Sequence, residues 1–185
     1  DFYSRAEGGE AVRQFGTVEA VAVNVLENFE QTRSFIGQDG LDQARFDRIA
    51  AAARTFLERR DLFQQRIDEG RIRDCHGDLY SANICLADKV YIYDCIEFNE
   101  RFRYSDVASD VAFLAMDLDF HGLEVLSRRF IEGFVARTND PGLRTMLDFY
   151  KGYRAYVRGK IGLFTAADPA VEAGVRAACV QDAAR

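Results

Sequence analysis

The residues of this chain best suited to chemistry lie in one short stretch, His76-Gly77-Asp78-Leu79-Tyr80-Ser81-Ala82-Asn83, with Asp94 a little further on. Phosphoryl transfer asks few groups of a protein. A carboxylate must orient or deprotonate the acceptor hydroxyl, oxygen ligands must hold Mg²⁺ against nucleotide phosphates, and lysines or backbone amides must neutralise those phosphates. Asp78 has the right chemistry for the carboxylate. Asn83 and Asp94 are hard-oxygen donors of the kind Mg²⁺ accepts alongside water and phosphate. Taken singly, each has a plainer reading: a turn for His-Gly-Asp, a strand-end cap for Asn83, a solvated carboxylate for Asp94. Their order, and what lies between them, favours the chemical one.

The intervening segment predicts a β-hairpin. Residues 83–86 and 90–93 are short β-rich runs separated by Ala87-Asp88-Lys89. Such a hairpin returns the chain, so that an amide oxygen and a carboxylate can share one cation. Long helices flank it. Val18, Val21, Val25, Leu26 and Phe29 recur at helical spacing, between punctuation at Gly8-Gly9 and at Gly37 through Gly40. Residues 41–69 predict one long helix, bent near Arg60-Asp61. Phe46, Ile49, Ala53, Phe56, Leu57, Phe63 and Ile67 lie on one face, Arg and Glu on the other, and Gly70 is the stop. Residues 71–75 are too short for another helix. Downstream, Ser105 is the expected cap of a helix running to about Phe120 and ended by His121-Gly122. Further helices are predicted over 123–137 and through Leu143 to Ile161, with Pro141 in the first turn, then over 171–183. The expectation is a single mainly α domain, 1–185, with one small hairpin at its middle.

Composition bounds the rest. The 185 residues are 48% hydrophobic with 15 Phe and 8 Tyr, enough for an aromatic core and the opposite of a disordered composition. A net charge of −6 argues against a nucleic-acid partner, which wants a basic face. No apolar run reaches the roughly 18 residues of a membrane span. Cys75, Cys85, Cys95 and Cys179 form no C-x-x-C pair, which argues against zinc and for reduced, mostly buried thiols in a cytoplasmic protein. The opening Asp1-Phe2-Tyr3-Ser4-Arg5 is neither a signal peptide nor an initiator sequence, so a fragment of a longer protein is expected.

The segment from His76 to Asp94 resembles the aminoglycoside phosphotransferase and choline kinase branch of the protein-kinase-like superfamily, which carries H-G-D-x-x-x-x-N. Ile92-Tyr93-Asp94 matches its second metal motif, and Asp110-Val111-Ala112 its downstream Asp-x-Ala. Residues 94–99, 112–118 and 153–158 further resemble bacterial proteins that join such a domain to a P-loop ATPase-like domain. The resemblance covers about residues 10 to 165. It implies the helical C-terminal lobe of a kinase-like fold. Asp78 would be the catalytic base, and Asn83 and Asp94 the Mg²⁺ ligands with ATP as co-substrate. His76 would support the loop, and Asp110 would hydrogen-bond the loop backbone. Asp110 also suits the first turn of a helix as a carboxylate near the dipole.

Departures from the family pattern matter equally. Gly77 stands where protein kinases carry an arginine, no D-F-G occurs at Asp94 and no A-P-E follows, which favours a small-molecule hydroxyl acceptor. Upstream of His76 there is no lysine at all, the first being Lys89, and no Gly-rich strand-turn-strand. The nucleotide-covering N-terminal lobe is therefore expected to be missing, and the isolated chain to bind ATP weakly and turn over little. The rival reading is a non-catalytic binding or regulatory module attached to a P-loop domain.

Other residues are ambiguous. Glu97, with Asn99, Arg101 and Arg103, could line an acceptor pocket or simply be surface polar residues, and Tyr80 is similarly open. Tyr150, Tyr153, Tyr156, Arg154, Arg158 and Lys160 could stack on bases or hold an anionic acceptor. Helical spacing favours Tyr150, Tyr153 and Val157 as core, with the arginines solvated or paired to nearby acids. The acidic chain as a whole is compatible with cationic acceptors.

Overall fold

The computed structural model describes residues 2–38 and 41–184; Gly40, one of the expected breaks, lies outside them. The chain is mainly helical, with two small antiparallel sheets. Single turns α1 (Phe2–Arg5) and α2 (Glu10–Arg13) lead to α3 (Val18–Thr32). The Thr17 side chain caps α3 by accepting from Ala20 N–H, and the predicted stripe Val21, Val25, Phe29 is buried.

The expected helix over 41–69 is two helices, α4 (Gln43–Leu57) and α5 (Arg60–Asp68). Arg59, at φ −81° and ψ 60°, lies outside the helical basin. Packing explains the break. On a straight helix seven residues rise about 10.5 Å, yet the rings of Phe56 and Phe63 approach to 6.0 Å and both meet Phe149. Helix α5 ends as the sequence predicts. Gly70 sits at φ +66°, with Gly70 N–H bonded to Ile67 and Arg71 N–H to Arg66, a Schellman closure that favours glycine.

Strand β1 (Ile72–Asp74) follows where only a connector was expected. Its partner is distant in sequence. Strands β2 (Ile84–Leu86) and β3 (Val90–Ile92) form the predicted hairpin, pairing Ile84 with Ile92 and Leu86 with Val90. One turn, α6 (Glu100–Arg103), then delivers β4 (Tyr104–Asp106), which pairs Ile72 with Asp106 and Asp74 with Tyr104. Ser105 is thus a strand residue. Asp106 caps α7 (Val107–Phe120) instead, accepting from Ala108 N–H at 2.9 Å.

Helix α7 is buried almost all round, with Ala108, Val111 and Ala112 at 0% exposure. It packs between α8 (Glu124–Thr138) and the 25-residue α9 (Leu143–Ala167), against which α10 (Ala173–Ala183) also lies. Pro141 falls just before α9, whose N-cap is Gly142, rather than within its first turn. Arg66 was expected on a solvated face but is buried. Its guanidinium bonds both oxygens of Asp106 and both of Asp140, tying α5 to the starts of α7 and α9. The thiols also depart from expectation: Cys75 is buried, but Cys85 and Cys95 are exposed because the β2–β3 hairpin and the segment after it pack little against the core. No helix among the described residues is long and apolar enough to cross a membrane.

Candidate functional site

The loop from Cys75 to Asn83 leaves β1 and enters β2, and a single buried carboxylate holds its first turn. Asp110, in the first turn of α7, accepts His76 N–H at 2.7 Å and Gly77 N–H at 3.0 Å on different oxygens. The Tyr3 hydroxyl donates to it as well, at 3.0 Å. Gly77 is required at its position. Its φ is +82°, and a Cβ there would come within 2.8 Å of Ile96 Cγ1 and 3.0 Å of the Phe102 carbonyl oxygen.

The His76 ring spans the loop. Nε2 faces the Tyr93 carbonyl at 2.9 Å and therefore carries the proton. Nδ1 then accepts from Asp78 N–H at 3.3 Å. So His76 fixes the backbone of Asp78 and joins it to the far end of the hairpin. The Asp78 carboxyl is half-buried. Burial raises its pKa from the ordinary aspartate value, against the opposing pull of Arg154, Arg158 and the Asn83 amide. A carboxylate so disposed is a better proton acceptor than a solvated one.

Asn83 is buried and uses its Nδ2 on the Asp78 carbonyl at 3.0 Å and on the Asp78 carboxylate at 3.3 Å. Its amide oxygen remains the hard donor. Tyr93 N–H bonds the Asn83 carbonyl at 3.1 Å, and the Tyr93 hydroxyl donates to the Ala82 carbonyl at 2.8 Å. The chain then turns through Asp94 at φ +62°, a conformation that Asp tolerates better than most residues, with the carboxylate exposed. Asn83 and Asp94 are thus brought to the same end of the hairpin. They offer one amide and one carboxylate oxygen, which suits Mg²⁺ completed by water and phosphate. Among the described residues no group of three or more His, Cys, Asp or Glu could hold a metal ion.

Glu97 stands outside this network. It is exposed, and its carboxylate meets the Cys95 thiol at 3.9 Å. Four further residues serve the loop without having been assigned to it from sequence. Buried Asp117 accepts Ser81 N–H at 2.9 Å, so α7 pins both ends of the loop with carboxylates two helical turns apart. An acid inside the apolar run 112–118 was its only local signal. Tyr3 reaches Asp110 from the N-terminal turn, a contact with no signature. Arg154 was expected to be solvated or acid-paired, yet it is buried, donating to Ser109 Oγ at 3.1 Å and lying 4.9 Å from the Phe113 ring. Arg158 lies 4.6 Å above the Tyr80 ring, which itself stacks on Phe113. Helix α9 therefore brings two cations to the candidate loop. Tyr150 is core, as its spacing predicts.

No family model matches the chain, and no solved structure matches it. Uncharacterized protein Rv2004c of Mycobacterium tuberculosis and uncharacterized protein Mb2027c of Mycobacterium bovis are similar to it. Each is 37% identical over 162 residues, which cover 86% of this chain and 32% of the relative. The chain spans about a third of the length of the curated relatives it matches.

Proposed function

We propose that this chain is the helical lobe of an ATP- and Mg²⁺-dependent phosphotransferase of the aminoglycoside phosphotransferase-like kind, acting on the hydroxyl of a small molecule. One observation carries the reading: Asp78, Asn83 and His76 are locked in one hydrogen-bond network whose backbone is held by the buried Asp110. Asp78 accepts the hydrogen bond of the acceptor hydroxyl and takes its proton as the oxygen attacks. Asn83 orients that carboxylate through Nδ2 and offers its oxygen, with Asp94, as the metal ligands. Bound there, Mg²⁺ supplies neutralisation of the nucleotide phosphates. His76 and Asp110 do no chemistry; they fix the loop. Glu97 belongs to the proposal as an acceptor contact on the segment after Asp94. The four free thiols suit a reducing, cytoplasmic setting.

A second reading is a binding or regulatory module attached to a P-loop domain. The lack of any lysine before Lys89 favours it, because phosphate neutralisation then needs groups from elsewhere. Metal-dependent nucleotide binding separates the two. In the full-length protein, Asp94→Ala is expected to weaken ATP binding at least tenfold in Mg²⁺ and to leave the weak Mg²⁺-free binding unchanged. An Asp94→Ala protein with wild-type ATP affinity in Mg²⁺ contradicts the phosphotransferase reading.

A further inference from the structure

Helices α3, α4 and α9 leave between them a cavity of about 400 Å³, within the usual size range of small-ligand sites. It has no part in the candidate loop: His76 to Asn83, Asp94 and Glu97 are all absent from its lining. Folded interiors are close-packed and leave few voids larger than a water molecule, so a hollow of this size has a cause in the sequence. Small residues open it. Ala52 and Ala53 line it on α4 and Gly152 on α9, and a Cβ added at Gly152 would meet nothing within 4 Å.

The walls are aromatic. Phe29 of α3, Phe56 of α4, and Phe149, Tyr153 and Tyr156 of α9 all line the cavity. Several of these rings are fixed against one another. Phe56 stacks on Phe149 at 4.5 Å with 9° between the planes, and Phe29 meets Tyr156 edge-on at 4.6 Å. A flat ring entering between them finds both faces and edges to pack on. The charged lining residues, Arg48 and Asp148, are exposed and opposite in sign, so the buried wall favours neither an anion nor a cation.

One buried polar side chain interrupts this apolar lining. Asn28 is 4% exposed, and its Nδ2 donates to the Asn24 carbonyl at 2.6 Å. That bond fixes which way the amide points, because a carbonyl needs a donor. Its Oδ1 then accepts no hydrogen bond among the described residues and is left open to the cavity it lines. The Tyr156 hydroxyl, by contrast, is already bonded to Thr32 at 2.5 Å. A held water needs two to four polar partners, more than this one amide oxygen offers, whereas the N–H or O–H of a bound molecule needs only one acceptor.

We propose that this cavity binds a flat aromatic molecule carrying one N–H or O–H donor, its ring between the phenylalanine and tyrosine walls and its donor on Asn28 Oδ1. The site is independent of the phosphotransferase reading.

The test is calorimetric titration of the 185-residue chain with indole and with benzofuran, which has the same shape and lacks the N–H. Indole is expected to bind at least about fivefold more tightly, the difference that one hydrogen bond to a buried acceptor supplies. Asn28→Ala should weaken indole to the affinity of benzofuran and leave benzofuran within about twofold of its wild-type value. Gly152→Leu puts a side chain into open space and replaces a glycine inside a helix, so it should abolish binding of both probes while Tm stays at or above that of the wild type. No binding of indole to the wild type, benzofuran binding as tightly as indole, an Asn28→Ala protein that keeps the preference, or a Gly152→Leu protein with wild-type affinity would each overturn the proposal. The two probes are compared on unaltered protein, so that comparison decides even where a variant fails to fold.

Discussion

Replacing Asp110 by alanine removes the carboxylate on which the candidate loop rests. Three donors lose their acceptor at once: His76 N–H, Gly77 N–H and the Tyr3 hydroxyl. The two amides sit over a residue of 0% exposure, so water cannot replace the carboxylate without opening α7. A buried donor left unsatisfied costs about 1–3 kcal/mol. The Tyr3 hydroxyl, buried against Asp110, is left without its acceptor as well, while deleting a buried charge recovers some desolvation cost. The net expectation is a loss of about 2–4 kcal/mol, a large share of the 5–15 kcal/mol typical of a domain. Asp110→Asn, which keeps one acceptor oxygen, should lose roughly half as much. Urea unfolding followed by far-UV circular dichroism measures the stability, and hydrogen exchange at His76 and Gly77 reads the loop directly. If Asp110→Ala loses under about 1 kcal/mol and both amides keep wild-type protection, the carboxylate does not hold the loop.

Three other expectations rest on separate features. Arg66→Met leaves the buried carboxylate of Asp106 without its cation and that of Asp140 with only Arg71, at 3.8 Å, and should cost about 3–5 kcal/mol. Adding Asp106→Asn and Asp140→Asn should restore part of it, and an unfolding series showing no such rescue contradicts the network. In native protein a thiol reagent should label Cys85 and Cys95 promptly. Cys75 should react only on unfolding, since burial and then nearby Asp110 raise its thiol pKa and shield it. Mass spectrometry of the labelled peptides reads this, and early labelling of Cys75 contradicts its placement. In the full-length protein, Asp94→Ala should cost ATP affinity only in the presence of Mg²⁺, as titrations with and without the metal will register.

What could be read from the residues alone was what is local. The stretch 76–94 carries its donors and its hairpin within twenty residues, and the Gly70 stop is a short-range signal. The helical stripes of α3 and α9 repeat at fixed spacing. Hidden were features set by residues far apart in the chain. Strand β1 is three residues whose partner β4 lies beyond the loop and hairpin, so nothing local marks it as a strand. The break at Arg59 follows from two phenylalanines meeting Phe149 from α9. Arg66 and Arg154 resemble surface arginines until Asp106, Asp140 and Ser109 are placed against them. Tyr3 and Asp117 acquire their roles only because α7 runs beneath the loop. Cys85 and Cys95 lie in or beside apolar runs that the fold leaves uncovered, because the β2–β3 hairpin has little packed against it.

The most direct test of the central claim is the rate of ATP consumption by the full-length protein with Mg²⁺ and a saturating hydroxyl acceptor, compared between wild type and Asp78→Asn. Loss of a general base costs about 10²–10⁴ in rate, so the variant should fall by that factor while its affinity for nucleotide stays within about threefold. An Asp78→Asn protein that consumes ATP at the wild-type rate, or one that loses nucleotide binding outright, would contradict the role given to Asp78.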